Sequence, residues 1–324
     1  MGKYATIHVP VLPREVIEWL DPRPGQVIVD GTLGGGGHTR LIAERLASDA
    51  LARGSNDLAS GRPGTAAERW SPPDSENSPE TFVLALDRDP AALAAAEKSL
   101  AGLPVKIAQA NFCDLGSILD ELDIAAVDGV LLDLGLSSDQ LADPPRGFSF
   151  DAEGDLDLRF NADEGEPAWR LLARLKENEI ADLIYGFGEE RYSRRIARRI
   201  VEARSTKPIR TAAELADLVR RSVPRSADRL DPATRTFQAL RIAVNHELDS
   251  LDLALKRIPD RLKCGGRLAI ISFHSLEDRR VKEAFKGDPR LENLTKKPIR
   301  PSPEEAQANP RSRSAKLRVA RRVG

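Results

Sequence analysis

Residues 27–39 read VIVDGTLGGGGHT, and this stretch decides the fold class. Val27, Ile28 and Val29 running into an acid have the pattern of a short buried strand. Five of the next seven residues are glycine. Residues 38–47, HTRLIAERLA, then place Leu41, Ile42 and Leu46 on one side of a helix. Glycines between a strand and a helix let the backbone approach a ligand, and the helix start offers free amides to an anionic group.

Four more apolar strands are expected at 82–87 (FVLALD), 105–110 (VKIAQA), 127–135 (VDGVLLDLG) and 265–273 (GGRLAIISF), with a helix at 91–100. Apolar strands alternating with helices predict an α/β fold with a parallel-rich, Rossmann-like sheet. Two stretches break the rhythm. Residues 48–80 are rich in Ser, Pro, Gly, Asp and Glu and read as a mobile surface insertion. Residues 141–230 hold helix-like segments and no strong strand.

Within that second break, Thr211 to Glu214 is a capping-box pattern, and Glu189 to Arg204 reads as a helix with acids in its first turn. Asp231-Pro232 should open a further helix, with Phe237, Leu240, Val244, Leu248 and Leu251 as its apolar stripe toward the sheet. The expected organisation is therefore a core over 1–140 and 231–324, with an all-helical domain inserted at 141–230.

Three ligands compete for the glycine loop. His38-Thr39 supplies no P-loop lysine. A dinucleotide fingerprint fails too, because Thr39 or Arg40 falls where its last glycine belongs. Both dinucleotides and adenosylmethionine use an acid after the second strand to hold ribose hydroxyls. Asp87 stands there, 51 residues after Gly36; without the 33 residues of 48–80 the separation is 18, near the roughly 20 of such sites. Asp89 reads as the cap of the next helix. Phe112, after the third strand, suits either an adenine face or the core.

The chain has 324 residues, a formal net charge of −1, 41% hydrophobic and 31% charged residues, an ordinary globular profile. Cys113 and Cys264 give neither a disulfide framework nor zinc spacing, and the four histidines give no metal motif, so no metal is expected. No apolar run has the length of a membrane span or signal peptide. A cytoplasmic location is expected. Met1 to Thr6 satisfies a myristoylation pattern short enough to arise by chance.

Ten runs together resemble one family: HVPVL (8–12), DGTLGGGGHT (30–39), ALDRDP (85–90), DGVLLDLGLSSDQL (128–141), RGFSF (146–150), LDLRF (156–160), YGFGEERYSRRIARRI (185–200), TRTFQALRIAVNHEL (234–248), GGRLAIISFHSLEDRRVK (265–282) and RSAKLRVARR (313–322). In order and across nearly the whole chain, they are similar to the small-subunit ribosomal RNA N4-cytidine methyltransferases, the MraW family. Only 48–80 departs, where the family usually has a shorter connection. The resemblance implies a class I methyltransferase core with an inserted helical substrate-recognition domain, and S-adenosyl-L-methionine as cofactor. Its implied cofactor contacts are Gly36, Gly37, His38, Asp87, Phe112, Asp133 and Gln140. The implied partner is 16S ribosomal RNA or the assembled small subunit; a homodimer is left open.

Many amino-methyltransferases place Asp or Asn before Pro-Pro after the fourth strand. Here that place holds Asp133-Leu134-Gly135, and Asp143-Pro144-Pro145 comes about ten residues later, reading as the loop into the inserted domain. Asp133 and His274 are the candidate acceptor-side catalytic residues; capping of the next helix is the rival role for His274. Asn245, His246 and Glu247 read as helix-surface or interdomain contacts. From Phe187 to Arg225 there are eleven basic and five acidic residues, or +6; from Leu291 to Gly324 nine and three, again +6. Such patches in a near-neutral chain point to phosphates. Arg194, Arg195, Arg198 and Arg199, outward of the Tyr192, Ile196 and Ile200 face, are the candidate RNA contacts. A nicotinamide-dependent dehydrogenase and a non-catalytic RNA-binding protein are the rival readings.

Overall fold

The computed structural model describes residues 9–54, 81–150, 154–224 and 231–324. The Met1–Thr6 pattern, His8, residues 55–80 and Arg225 lie outside them. In chain order, α1 (Pro13–Leu20) starts with proline in its first turn and buries Val16 and Leu20. β1 (Val27–Asp30) leads through the glycine loop into α2 (Gly37–Gly54). The helix runs past its expected end at 47, because Ala50, Leu51, Ala52 and Arg53 are good helix formers. The start of the 48–80 segment is therefore helix, not loop.

β2 (Phe82–Asp87), α3 (Pro90–Ser99), β3 (Val105–Gln109), α4 (Leu115–Glu121) and β4 (Val127–Asp133) follow. Next come α5 (Ser138–Leu141), α6 (Ala168–Arg174), α7 (Glu177–Gly188), α8 (Ser193–Thr206), α9 (Ala212–Ser222) and α10 (Thr234–Asn245). The chain closes with α11 (Glu247–Arg257), β5 (Leu262–Ser272), α12 (Ser275–Gly287), β6 (Leu291–Asn293), α13 (Pro303–Ala308) and β7 (Lys316–Arg322).

Among the described residues seven strands form one sheet, ordered β3-β2-β1-β4-β5-β7-β6. β1 to β5 are parallel, and β7 runs antiparallel between β5 and β6. Both faces are covered, which is why the strands read as continuous apolar runs. Val29, Leu84, Leu86, Val130, Leu132, Leu268 and Ile270 join one core cluster. Their alternating neighbours Ile28, Val83, Leu131, Ala269 and Ile271 join the other.

Part of the basic stretch at 291–324 is sheet, forming β6 and β7. Leu317, Val319 and Ala320 of β7 are buried. Three of its cations have carboxylate partners: Asp278 at the start of α12 accepts from Lys316 Nζ (2.9 Å) and Arg318 Nε (2.7 Å), and Glu292 pairs with Arg321. Lys316 and Arg318 thus fix β7 to α12, and Arg321 fixes it to β6.

The chain divides into two compact units, Met1–Ser137 with Ser250–Gly324, and Ser138–Asp249. The second boundary thus falls after Asp249 rather than at 230, because α10 packs on α7 within the helical unit. The expected single helix from 231 to 251 is broken. Asp231 Oδ1 accepts from Ala233 N (2.8 Å) in a turn, so the helix starts only at Thr234. At the other end His246 takes a left-handed conformation (φ 51°) and separates α10 from α11. Leu251, beyond the break, is the stripe residue that reaches a sheet core cluster.

α8 also starts later than expected. Glu189 is left-handed (φ 49°) and closes α7, while Glu190 Oε1 accepts from Tyr192 N (2.8 Å) ahead of Ser193. The capping box at Thr211 and Glu214 forms as the spacing predicts. Among the described residues no helix is long and apolar enough to cross a membrane.

Candidate active site

The site is built where β1, β2 and β4 end. Asp30, the last residue of β1, is 1% exposed and clamps the glycine loop at both ends. Its Oδ1 accepts from Thr32 N (3.1 Å), and its Oδ2 accepts from Thr39 Oγ1 (2.7 Å) in the first turn of α2. Thr32 Oγ1 in turn accepts from Asp133 N (2.6 Å), tying the loop to β4. Leu33 N donates to Leu86 O (2.9 Å), tying it to β2. A side chain at Gly31 would stand 2.5 Å from Leu132 Cδ2 and 2.9 Å from Phe112 Cβ, so this approach requires glycine. Gly36 sits at φ +76°, the left-handed region glycine enters without strain.

Asp87 faces this loop from the end of β2. Its Oδ2 accepts from Gly34 N (2.8 Å) and its Oδ1 from Asp89 N (2.9 Å). Burial pushes its carboxyl up to about 6, although both backbone bonds favour the charged form. A carboxylate has about four acceptor positions, so two bonds leave it capacity for more. Asp89 is the α3 cap, accepting from Ala91 N (3.0 Å). Phe112 opens a short 3-10 turn after β3 and packs half-buried between Gly31 and the core.

Asp133, at the end of β4, is 10% exposed and lies 3.6 Å through Oδ2 from Nδ1 of the 5% exposed His38. The opposite ring atom, His38 Nε2, is 2.8 Å from Val11 O. Oδ1 of Asp133 is buried with no hydrogen-bond partner in the protein. Burial pushes this carboxyl also up to about 6; His38 and Arg311 oppose the rise, and Asp30 and Glu277 add to it. A buried acceptor without a donor is costly unless something else supplies one.

The structure thus brings Gly36, Gly37, His38, Asp87, Phe112 and Asp133 together on the core unit. Gln140 is buried in α5, which belongs to the helical unit. The sequence reading missed Asp30, Thr39 and Arg311. An acid ending an apolar strand just before the glycines is a legible signal for Asp30. Arg311 donates to Leu136 O and biases Asp133 from the far end of the chain, a proximity with no local signal.

His274 follows β5 as the N-cap of α12. Its Nδ1 accepts from Glu277 N (3.4 Å), and Glu277 Oε2 accepts from Phe273 N (2.8 Å) and His274 N (3.3 Å). Nε2 of His274 is 3.1 Å from Glu277 Oε1 without an aligned hydrogen bond. The capping role accounts for the position of His274 without a substrate. Asp143 to Arg146 forms a loop with a 3-10 turn in the helical unit. Asn245 is buried, accepting from Phe160 N (2.7 Å) and donating to Leu158 O (2.7 Å), so it braces the helical unit rather than its surface.

On α8, Ile196 and Ile200 are buried and Arg194, Arg195, Arg198 and Arg199 are exposed. Three have exposed acid neighbours: Arg194 with Asp182 (3.8 Å), Arg198 with Glu177 (3.8 Å) and Arg199 with Glu202 (3.0 Å). Exposed pairs of this kind are worth little and exchange readily. Among the described residues no group of three or more His, Cys, Asp or Glu could hold a metal ion.

The arrangement fits adenosylmethionine. A positive-φ glycine loop and the amides at the start of α2 suit a carboxylate, Asp87 has lone pairs for hydroxyls, and the orphaned Oδ1 of Asp133 suits a donor or a cation.

Known proteins are similar to this chain. Residues 5–61 and 75–323 match the description "MraW methylase family". A protein of Rhodopirellula baltica named ribosomal RNA small subunit methyltransferase H is 49% identical, over 98% of this chain and 92% of its own length. A protein of the same name from a Cyanothece strain is 47% identical, over 98% and 95%. A Streptococcus mutans methyltransferase solved with SAH shares 12% identity at a TM-score of 0.44, covering 97% of this chain and 100% of that one. With the glycine loop, the strand-end acids and this match across both units, the chain belongs to the MraW methylase family.

Proposed function

We propose that this protein methylates the N4 amine of a cytidine in small-subunit (16S) ribosomal RNA, using S-adenosyl-L-methionine. The observation that carries the reading is the buried Asp133, with its orphaned oxygen, beside His38 and the glycine loop of an MraW-family core. When bound, the cofactor supplies an electrophilic methyl group. Cytidine N4 is a weak nucleophile because its lone pair is delocalised into the ring, so placement in line with that methyl is the main requirement. In that transfer the N–C bond would form as the methyl–sulfur bond breaks, and the amine proton would leave to water.

In this reading Asp87 holds the ribose hydroxyls, Gly36, Gly37 and the α2 amides hold the carboxylate, and Phe112 covers the adenine. Asp133, with His38 behind it, orients the cofactor, and Gln140 contributes from α5. The helical unit recognises RNA, with Arg194, Arg195, Arg198 and Arg199 on phosphates. A ribosomal RNA substrate, free or in an assembled small subunit, supports a cytoplasmic site of action. Mass spectrometry of small-subunit RNA from cells with and without the gene tests the activity: one N4-methylcytidine signal should vanish without it. An unchanged RNA would overturn the reading.

A further inference from the structure

We propose that a groove in the helical unit seats an unpaired base of the substrate RNA, with the adjoining phosphate on Arg204 and Arg210. This rests on the reading that the helical unit binds RNA, and extends it to a second class of contact, a base.

The groove has a volume of about 300 Å³, at the lower end of the range for small-molecule sites. Trp169, Leu172, Ile200 and Ile209 form its apolar wall, and Arg204 stands at the wall's edge, donating to Leu172 O. The Arg210 guanidinium lies 3.6 Å above the Trp169 ring and that of Arg170 5.1 Å from it. Flat aromatic and guanidinium surfaces beside an apolar wall are the platform on which bases stack.

Charge points the same way. Lys207 and Arg174, close by in sequence, are neutralised by Glu214 and Glu166. Among the described residues no carboxylate pairs with Arg170, Arg204 or Arg210. Arg191 and Arg195 share that condition, but neither lines the groove or stacks on a residue that does. Unneutralised guanidiniums at a base-sized apolar groove match a ligand that is both flat and anionic, which a nucleotide is.

The test uses the full chain with Trp19→Phe and Trp70→Phe, leaving Trp169 as the only tryptophan of the original three. Titration with a single-stranded oligoribonucleotide should quench its emission, and inorganic polyphosphate should not. Ala173→Leu with Ser205→Leu fills the groove from exposed positions without altering charge. That variant should keep its melting temperature and lose about 5- to 100-fold in RNA affinity, the worth of one stacked base. Wild-type affinity in the filled variant, or equal quenching by polyphosphate, would overturn the groove. If Arg194→Ala with Arg198→Ala still weakens RNA binding while the filled variant does not, the groove falls and the RNA-binding reading stands. If neither variant weakens it, both fall.

Discussion

His38 presents Nε2 to the Val11 carbonyl at 2.8 Å and Nδ1 to Asp133 Oδ2 at 3.6 Å. A carbonyl oxygen only accepts, so Nε2 carries a proton, and in a neutral ring the lone pair of Nδ1 faces a carboxylate. Two acceptors face each other unless one further proton lies between them. Burial raises the Asp133 carboxyl to about 6, and the neighbouring ring opposes that rise.

That raised value sets a stability trend. A carboxyl whose pKa is higher folded than unfolded stabilises the fold fully below its unfolded value. The contribution is lost as pH rises through the folded value. From 3.8 to about 6 the loss is on the order of 2–3 kcal/mol at neutral pH. Asp133→Asn should thus melt higher than the parent at pH 7.5 without cofactor, and the gap should close towards pH 4. Parallel melting curves across pH would refute this.

The same substitution should weaken adenosylmethionine binding, with saturating cofactor largely restoring turnover. Single-turnover methylation of small-subunit particles decides the matter. A defect on the order of a hundredfold that persists at saturation would make Asp133 an acceptor-side catalytic group instead.

Asp87→Ala removes charge-assisted hydrogen bonds and should lower cofactor affinity roughly 10- to 100-fold. Because burial raises this carboxyl to about 6, affinity in the parent should also fall as pH drops below that value. Calorimetry at pH 5 and 7.5 checks both; a flat pH profile in the parent would sink the ribose assignment.

Arg194→Ala with Arg198→Ala should flatten the salt dependence of RNA binding by a log–log slope of roughly 0.7–0.9 per lost contact. Cofactor affinity should not move. A slope equal to the parent's would leave these arginines as solvated partners of Asp182 and Glu177.

Asp278→Ala strands Arg318, which is 5% exposed in β7, without its carboxylate. Breaking such a buried pair costs about 3–5 kcal/mol. The protein should melt well below the parent. An unchanged melting temperature would mean that β7 is held by its apolar residues and backbone ladder alone.

Local pattern determined much of this protein. Apolar runs bounded by glycine and acid placed β1 to β5, since a strand buried on both faces must be apolar throughout. The Asp89 cap was legible because a cap acts within a few residues, and the glycine loop holds Gly36 at positive φ, as glycine between a strand and a helix allows. The resemblance to MraW proteins extended that reading to activity. Only the tertiary structure decided what depends on partners distant in the chain. β7 reads as part of a basic tail, and only the fold sets Asp278 against Lys316 and Arg318 and Glu292 against Arg321. The helix expected over 231–251 is continuous by periodicity, yet Asn245 turns inward to serve the backbone of residues 158 and 160, and His246 breaks it. The Asp133–His38 pair is set by the fold, which buries both groups and leaves one oxygen without a donor. Burial and charge pairing are sums over the whole fold, and no window of sequence contains them.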